Sequence, residues 1–229
     1  MNVNNGFSQS LVNTPAGGDA LVKSALIAIY YTHAVEALYA AADTYCTGIT
    51  WVPQGSWENT TTAAQSFTYQ YKTELKVTQG SAVTTGGLPL ALEFKGFAMT
   101  IDASTKTFSE NETTTPETKP LTINVAPGKK VTLYQRQYNF RTDMYFILDA
   151  ASMARNVAAV SGGGLSRKTC VFEIMSADYL VTDKELSGAT PGTVHLTTVN
   201  RANQEGDRQT VQRSGLTTRA VTALNLMGA

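Results

Sequence analysis

The chain has little of the chemistry on which metal sites and most catalytic sites depend. Its 229 residues include only two cysteines and two histidines. Neither Cys46 nor Cys170 has the close Cys or His neighbour of a zinc or thioredoxin-type motif, so we interpret both as buried free thiols, with a disulfide as the alternative. His33 and His195 have no Cys, Ser or carboxylate motif around them, which favours structural roles. The sequence therefore predicts a protein that is not an enzyme and that carries no cofactor and no metal.

The chain also lacks an excess of charge of either sign. Eighteen Lys and Arg residues balance eighteen Asp and Glu residues, and charged residues make up only 16% of the sequence. Because a chain without net charge has no overall field to attract nucleic acid, nucleic-acid binding is not expected. The run 162–164 of three glycines, followed by Arg167 and Lys168, lacks the Gly-x-x-x-x-Gly-Lys-Ser/Thr spacing of a phosphate loop, and we interpret it as a hinge.

Apolar runs that would direct or anchor a chain to a membrane are missing as well. The first six residues carry neither a basic start nor an apolar stretch, so no secretory signal peptide is expected, and no stretch predicts a transmembrane helix. We therefore expect a soluble form that is made in the cytoplasm and released. The sequon at Asn59 would then carry no glycan. Any action on a membrane would require a change of shape.

The first strong pattern is an apolar run from Ala20 to Cys46. Leu, Ile, Ala, Tyr and Val occupy nearly all sides of its helical projection, Asp19 is placed as an N-cap, and Gly48 is placed to end the helix. We therefore predict a buried helix that covers a sheet. In a second interpretation, four tyrosines of this run form part of a ligand surface: Tyr30, Tyr31, Tyr39 and Tyr45.

Beyond this run the sequence is typical of long antiparallel strands. Between Ala64 and Val83, apolar or aromatic residues alternate with polar ones, which predicts one long half-buried strand. Further strands are predicted at 105–115, which Pro116 and Pro120 break, and at 121–125, 131–148, 169–181 and 193–200. Residues 208–227 are ambiguous. The predicted fold class is mainly β, with elongated antiparallel sheets of long Ser/Thr-rich strands and an N-terminal buried helix.

The segment 86–103 can be paired as a hairpin around a two-residue turn at Lys95 and Gly96. One face of that hairpin would be entirely apolar: Leu88, Leu90, Leu92, Phe94, Phe97, Met99, Ile101 and Ala103. The other face would be small or polar: Pro89, Ala91, Glu93, Ala98, Thr100 and Asp102. The sequence therefore predicts a hairpin that is two-faced across both strands.

Two-faced strands suit a membrane-spanning β-barrel, in which one face meets lipid and the other a water-filled lumen. Only a closed ring of such hairpins leaves no unpaired backbone in the bilayer, so this interpretation requires a homo-oligomer. The alternative is an ordinary surface hairpin whose apolar face packs on a soluble core. Periodicity alone favours this alternative.

The order of the motifs resembles the aerolysin-like superfamily, in particular its epsilon-toxin and mosquitocidal-toxin branch. An Asn-Thr phrase at 57–62 opens a Ser/Thr/aromatic strand, the two-faced hairpin 88–103 follows, and a returning strand leads to the Pro-Gly-Lys phrase within 125–131. The resemblance covers roughly residues 57 to 148. It implies an elongated soluble protein that docks on a receptor at a target cell membrane, assembles into a ring and inserts its hairpins as a β-barrel.

The same resemblance implies roles for regions and residues. We expect an N-terminal cap, 1–56, a pore-forming module, 57–148, with the insertion hairpin 86–103, and a C-terminal β region, 149–229. The lipid-facing residues named above would insert, and Glu93, Thr100 and Asp102 would face the lumen. Trp51 and Trp57 are candidates for receptor binding, because aromatic rings stack on sugars, although either could equally lie at the edge of the core. The alternative function is a non-lytic, lectin-like binding or stress protein with the same fold.

Overall fold

The computed structural model describes residues 11–32, 35–80, 84–85, 88–89, 97–108, 116–184, 186, 192–206 and 208–229. Within these residues the chain forms the strands β1 (Leu11–Pro15), β2 (Ala20–Thr32), β3 (Glu36–Glu58), β4 (Gln65–Gln79), β5 (Thr84–Thr85), β6 (Leu88–Pro89), β7 (Phe97–Ile101), β8 (Ser104–Phe108), β9 (Glu117–Val125), β10 (Lys130–Ala150), β11 (Met153–Val157), β12 (Arg167–Thr182), β13 (Gly192–Val194) and β14 (Thr210–Val211). A short 3-10 helix, Arg213–Gly215, precedes the helix α1, Thr218–Leu226.

Ten strands form one sheet, ordered β13-β1-β3-β10-β12-β4-β9, with β2 beside β3, and with β11 between β10 and β14. Its central pair is antiparallel and runs from Lys130 opposite Glu58 to Ala150 opposite Glu36. Since β10 has 21 residues, this ladder is about 70 Å long at about 3.3 Å per residue. The prediction of an elongated, mainly β fold is confirmed. All three predicted regions contribute strands to this sheet, and the division into regions stays a prediction.

The predicted N-terminal helix is wrong, because residues 20–32 form β2 and residues 36–46 the first half of β3, paired from Ala20 opposite Cys46 to Thr32 opposite Glu36. Strand β3 lies between β2 and β10, and both of its faces are covered: Leu38 is 0% exposed on one face and Ala41 is 4% exposed on the other. A strand buried on both faces loses its alternation and resembles a buried helix in sequence. The helix is instead C-terminal, and its N-cap Thr217 accepts a hydrogen bond from the Ala220 amide.

The long strands downstream agree with the predictions for 64–83, 121–125, 131–148 and 169–181. The predicted strands 64–83 and 105–115 are not neighbours in the described residues, because β4 pairs with β12 and β9 whereas β8 pairs with β7. Residues 109–115 lie outside the described part. Pro120 does not precede a strand but lies within β9. Strand β9 is an edge strand of the described sheet, and an edge strand tolerates proline, which has no backbone N–H to donate.

Two motifs that carry the family resemblance are joined in space at Asn59, which is 0% exposed. The Asn59 amide donates to the Lys129 carbonyl at 2.9 Å, and the Gly128 amide donates to the Asn59 carbonyl at 2.8 Å. The Asn59 side chain donates to the carbonyls of Ala63 and Val125 and accepts from the amide and hydroxyl of Thr61. The Asn-Thr phrase and the Pro-Gly-Lys phrase are therefore joined by one network of hydrogen bonds around Asn59.

One face of β10 carries even-numbered side chains that are covered by two different elements. Helix α1 covers the cluster that contains Met144, Phe146 and Leu148, and we call this the helix-covered cluster. The hairpin β7–β8 covers the cluster that contains Tyr138 and Phe140, and we call this the hairpin-covered cluster.

The two cysteines divide between these clusters. Cys170 belongs to the helix-covered cluster and Cys46 to the hairpin-covered cluster. Both thiols are free and buried, as predicted, and burial raises the pKa of Cys46 to about 12.

Candidate functional site

The hairpin β7–β8 is a two-stranded antiparallel sheet that shares no ladder with the ten-stranded sheet. Phe97 pairs with Phe108 at its open end and Ile101 with Ser104 at its tip. The two residues between them, Asp102 and Ala103, have φ angles of 45° and 69°. Positive φ at both central positions is the geometry of a type I′ turn, whose twist matches that of a hairpin.

The hairpin has one covered and one open face. Met99 is 3% exposed, Ile101 8% and Phe108 1%, and Phe97 on the same face is half-buried. On the other face Ala98, Thr105 and Thr107 are exposed and Thr100 is half-buried. The alternation seen in sequence is therefore real in β7, and its apolar side chains are hidden against the sheet.

Aromatic rings form the contact between the hairpin and the sheet. The rings of Phe97 and Phe108 stack with centroids 4.9 Å apart, and both meet the ring of Phe140 edge-on, at 5.5 and 5.7 Å. Phe108 also meets Tyr138 edge-on at 5.0 Å, and Phe140 stacks on Phe172 at 5.2 Å. These offset and edge-on arrangements are the favourable ones for aromatic pairs.

The tip of the hairpin is attached to the segment that follows β13. The Asp102 amide donates to the His195 carbonyl at 2.9 Å, and the His195 amide donates to Asp102 Oδ1 at 3.0 Å. The Thr197 amide donates to the Thr100 carbonyl at 3.1 Å. His195 itself is exposed and follows strand β13 rather than lying within a strand.

A polar link joins the returning strand to the sheet. Lys106 Nζ lies 3.0 Å from Asp178 Oδ1, and the Tyr138 hydroxyl donates to Asp178 Oδ2 at 2.9 Å. Burial alone would raise the pKa of Asp178, but the hydrogen bonds from Lys106 and Tyr138 and the charges of Lys106 and Arg136 lower it below its ordinary value. The carboxylate is thus ionised well into the acid range, and the link persists at neutral pH.

The predicted pairing around Lys95 and Gly96 does not hold at Ile101 in this structure. Ile101 pairs with Ser104 on one edge and forms a bridge to Leu196 on the other, so no edge is left for Leu90. Leu88 contributes backbone pairing with Thr85. The other predicted insertion or lumen residues upstream of β7 lie outside the described residues: Leu90, Leu92, Glu93, Phe94, Lys95 and Gly96. Their roles stay predictions.

Sequence reasoning missed Lys106, Phe108 and Asp178. Phe108 was the available signal, because it is the single aromatic residue of the polar segment 105–115. Pairing across a turn at Asp102 and Ala103 would have placed it opposite Phe97. Nothing in the sequence points from Lys106 to Asp178, since 72 residues separate them.

Trp51 and Trp57 are both half-buried and both make contacts within the chain. The Arg136 guanidinium lies 4.6 Å from the Trp51 ring centroid, and Trp57 meets the Tyr69 ring edge-on at 5.4 Å. A receptor-binding role for either stays a prediction. Within the described residues, no group of three His, Cys, Asp or Glu side chains could hold a metal ion. None of the helices that the structure describes is long and apolar enough to cross a membrane.

No protein-family model matches the chain, and no curated protein matches its sequence. Among solved structures, the chain is similar to the oligomeric pore-forming toxin pro-Monalysin, at 7% identity and a TM-score of 0.39, over 82% of this chain and 75% of that one. It is also similar to parasporin-2, a Bacillus thuringiensis toxin that recognizes cancer cells, at 14% identity and a TM-score of 0.15, over 62% of this chain and 74% of that one. Similarity this distant assigns neither a family nor a function to the chain.

Proposed function

We propose that the chain is a β-pore-forming toxin or defence protein that binds a cell surface, oligomerises and inserts a hairpin from each chain into the membrane as a β-barrel. The observation that carries the proposal is the hairpin β7–β8, which is two-faced and lies against the sheet but outside its ladder. The resemblance of the sequence to the aerolysin-like superfamily covers this segment and supports the same function.

A segment leaves a folded protein most easily when few backbone hydrogen bonds hold it. In the described residues the tip of the hairpin is joined to the segment 195–197 by three hydrogen bonds, whereas β10 pairs along its whole length with β3. Withdrawal of the hairpin would leave that central ladder intact. Its apolar face would then be exposed to water and would gain free energy by entering lipid.

The position of Lys106 makes insertion of the hairpin in its present pairing unfavourable. Lys106 lies opposite Met99 on the covered face, where it would meet lipid, and a lysine there costs about 2–4 kcal/mol near the bilayer midplane. We therefore propose that Phe97, Met99 and Ile101 exchange their partner strand on insertion. Their new partner would be the segment 88–94, whose alternation supplies a fully apolar face.

The function is tested by locking the hairpin to the sheet. The variant Asp102→Cys/His195→Cys joins two positions that the backbone already holds together. The two native thiols are buried and their pKa values are raised, so they will not compete for oxidation. We expect the oxidised variant to admit no dye into cultured insect or mammalian cells and the reduced variant to admit dye as the parent does. Equal dye entry in both redox states would overturn the proposal that strand β7 leaves the sheet and inserts.

A second crosslink, Thr100→Cys/Thr105→Cys, tests the exchange of partners. It ties β7 to β8 and adds no bond between the hairpin and the ten-stranded sheet. If the strands must separate, oxidation abolishes dye entry here too. If the oxidised form stays active, the exchange is wrong but the pore-forming function stands. Met99→Arg is a poorer test, because Met99 is only 3% exposed and the substitution would disturb the soluble fold.

A parent protein that permeabilises none of the cells tested, although it is folded and binds them, would contradict the proposal. That result would favour the alternative, a non-lytic binding protein with the same fold.

A further inference from the structure

A polar pocket of about 270 Å³ lies mainly on the face of the sheet opposite to helix α1 and the hairpin, although Met144 of the helix-covered cluster also lines it. Its floor is formed by β3, β10 and β12, and its wall by the segment that contains Arg201, Asn203 and Glu205. The floor side chains Asp43 and Tyr45 have odd numbers, whereas the covered residues Leu38 and Ala40 have even ones, and successive side chains of a strand point to opposite faces.

The three carboxylates that line the pocket each have an arginine partner. Arg167 pairs with Glu205 at 2.6 Å, Arg201 with Asp43 at 3.1 Å, and Arg141 with Asp143 at 3.1 Å. Lys168 also lines the pocket, but it lies opposite Met144 and its ammonium donates to the Gly228 carbonyl beside helix α1. A charged ligand of either sign would have to displace one of these internal partners. The pocket therefore suits a neutral ligand that uses donors and acceptors together.

One feature of the floor costs stability and has no structural benefit that the described contacts reveal. It is not the pair Asp43 and Asp143, which stand opposite each other on neighbouring strands, because Arg201 and Arg141 compensate their charges. Tyr145 is only 6% exposed, and its hydroxyl has no hydrogen-bond partner in the described residues. Burial raises the pKa of Tyr145 and the nearby Arg208 lowers it, but no hydrogen bond of acceptable geometry joins the two. An unsatisfied buried hydroxyl at a pocket points to a polar ligand.

We infer that this pocket binds a neutral saccharide unit. A sugar hydroxyl both donates and accepts, so neighbouring hydroxyls can bridge adjacent cationic and carboxylate side chains such as Arg201 and Asp43. The half-buried ring of Tyr45 supplies the apolar surface that the C–H face of a sugar ring needs. Saccharide binding stands on the pocket alone. The further step, that the saccharide belongs to the receptor glycan on the target cell, rests on the proposed function.

Saturation-transfer NMR on the full chain tests the inference with four neutral probes, the methyl glycosides of glucose, galactose, mannose and N-acetylglucosamine. Sialic acid and inorganic phosphate serve as charged probes. The pocket variants are Asn203→Ala and Asp143→Asn, and Asn200→Ala, an exposed neighbour outside the pocket, is the matched control. Each variant must first melt like the parent.

We expect at least one neutral probe to bind, with affinity about tenfold weaker in both pocket variants and unchanged in the control. Binding of none of the neutral probes, binding of the charged probes alone, or binding that survives both pocket variants would overturn the inference. Asn203→Ala changes a half-buried loop side chain, so the test remains available if Asp143→Asn fails to fold.

Dye entry into cells separates this inference from the proposed function. If the sugar binds and no cell is permeabilised, the pore-forming function fails and the saccharide site stands. If cells are permeabilised and no sugar binds, the saccharide site fails alone. If both stand, the free sugar should compete and reduce dye entry.

Discussion

The same face of strand β10 is covered in two physically different ways. Helix α1 satisfies its backbone hydrogen bonds internally, and it buries Ala220 and Leu224 at 0% exposure. The hairpin β7–β8 covers Phe140 equally well, but its strands carry outer edges that can pair with other strands. A helix used as a cover leaves no backbone edge open to pairing, whereas a hairpin used as a cover keeps edges at which further strands can pair. The predictions below are designed to break or sharpen this difference.

The largest effect is expected from truncating the ring beneath each cover. Phe140 and Phe146 are 0% and 1% exposed, and each substitution by alanine should cost about 3–4 kcal/mol in the free energy of unfolding, measured by urea denaturation. Hydrogen exchange should distinguish them, because only Phe140→Ala removes the rings' contact with the hairpin. Exchange in 97–108 should rise in Phe140→Ala and stay near parent levels in Phe146→Ala. Equal loosening of the hairpin in both variants would contradict two separate covers.

Asn59→Ala tests the sheet itself rather than either cover. The substitution removes two donated and two accepted side-chain hydrogen bonds at a fully buried position. We expect a loss of about 2–3 kcal/mol in the free energy of unfolding. Thr60→Ala, an exposed neighbour, is the control and should change stability by less than about 0.5 kcal/mol. A small loss of stability in Asn59→Ala would show that the hydrogen bonds of the Asn59 side chain contribute little to the stability of the sheet.

The two native thiols report the opening of each cover. Cys46 lies in the hairpin-covered cluster and Cys170 in the helix-covered cluster. In the single-cysteine variants Cys170→Ala and Cys46→Ala, a thiol reagent reaches the remaining thiol when its cover opens. We expect Cys46 to be labelled about tenfold faster, which corresponds to about 1.4 kcal/mol of opening free energy. Faster labelling of Cys170 would reverse the comparison.

The smallest effect concerns the link between Lys106 and Asp178, which is partly exposed. Lys106→Met should cost about 1 kcal/mol, seen mainly as faster hydrogen exchange in 97–108. Lys119→Met, which removes a more exposed pair with Glu117, should change little. Unchanged exchange in Lys106→Met would show that aromatic packing alone holds the hairpin.

The pH dependence of this link follows from the lowered pKa of Asp178. A carboxyl whose folded-state pKa is lowered contributes stability that is fully present above the unfolded value of about 3.9 and is lost as the pH falls through the folded value. Protection of 97–108 should therefore be constant from neutral pH to about pH 5 and decrease only in strong acid. In Asp178→Asn this acid-dependent component should be absent. Release near pH 6 would mean that another group controls the hairpin.

The sequence predicted the strands whose two faces differ. Strand β4 alternates between exposed and half-buried positions from Gln65 to Gln70, so its period is visible in the sequence. Strand β3 resembles a helix in sequence because burial of both of its faces removes that period. Strand β2 resembles one because apolar residues, such as Leu26 and Ala28, also occupy its exposed positions. Their β-branched and aromatic residues, such as Ile27, Tyr30 and Thr44, were the signal that favoured strands.

For strand β7 the sequence predicts the two faces correctly and the pairing partner wrongly. Phe97, Met99 and Ile101 share one face whichever strand they pair with, so periodicity does not select the register. The selection comes from contacts distant in sequence, mainly Phe108 against Phe140 and Tyr138. No local pattern in the sequence encodes those contacts.

The burial of Asn59 has a practical consequence for producing the protein. Asn59 begins an Asn-Thr-Thr sequon, and oligosaccharide transfer in a eukaryotic secretory pathway would act on the nascent chain before this side chain is buried. A glycan at that nitrogen could not share the space occupied by Ala63 and Val125, so glycosylated chains would not complete the fold. Bacterial cytoplasmic expression avoids the problem, and any folded material recovered from yeast or insect-cell medium should show an unmodified Asn59 by mass spectrometry.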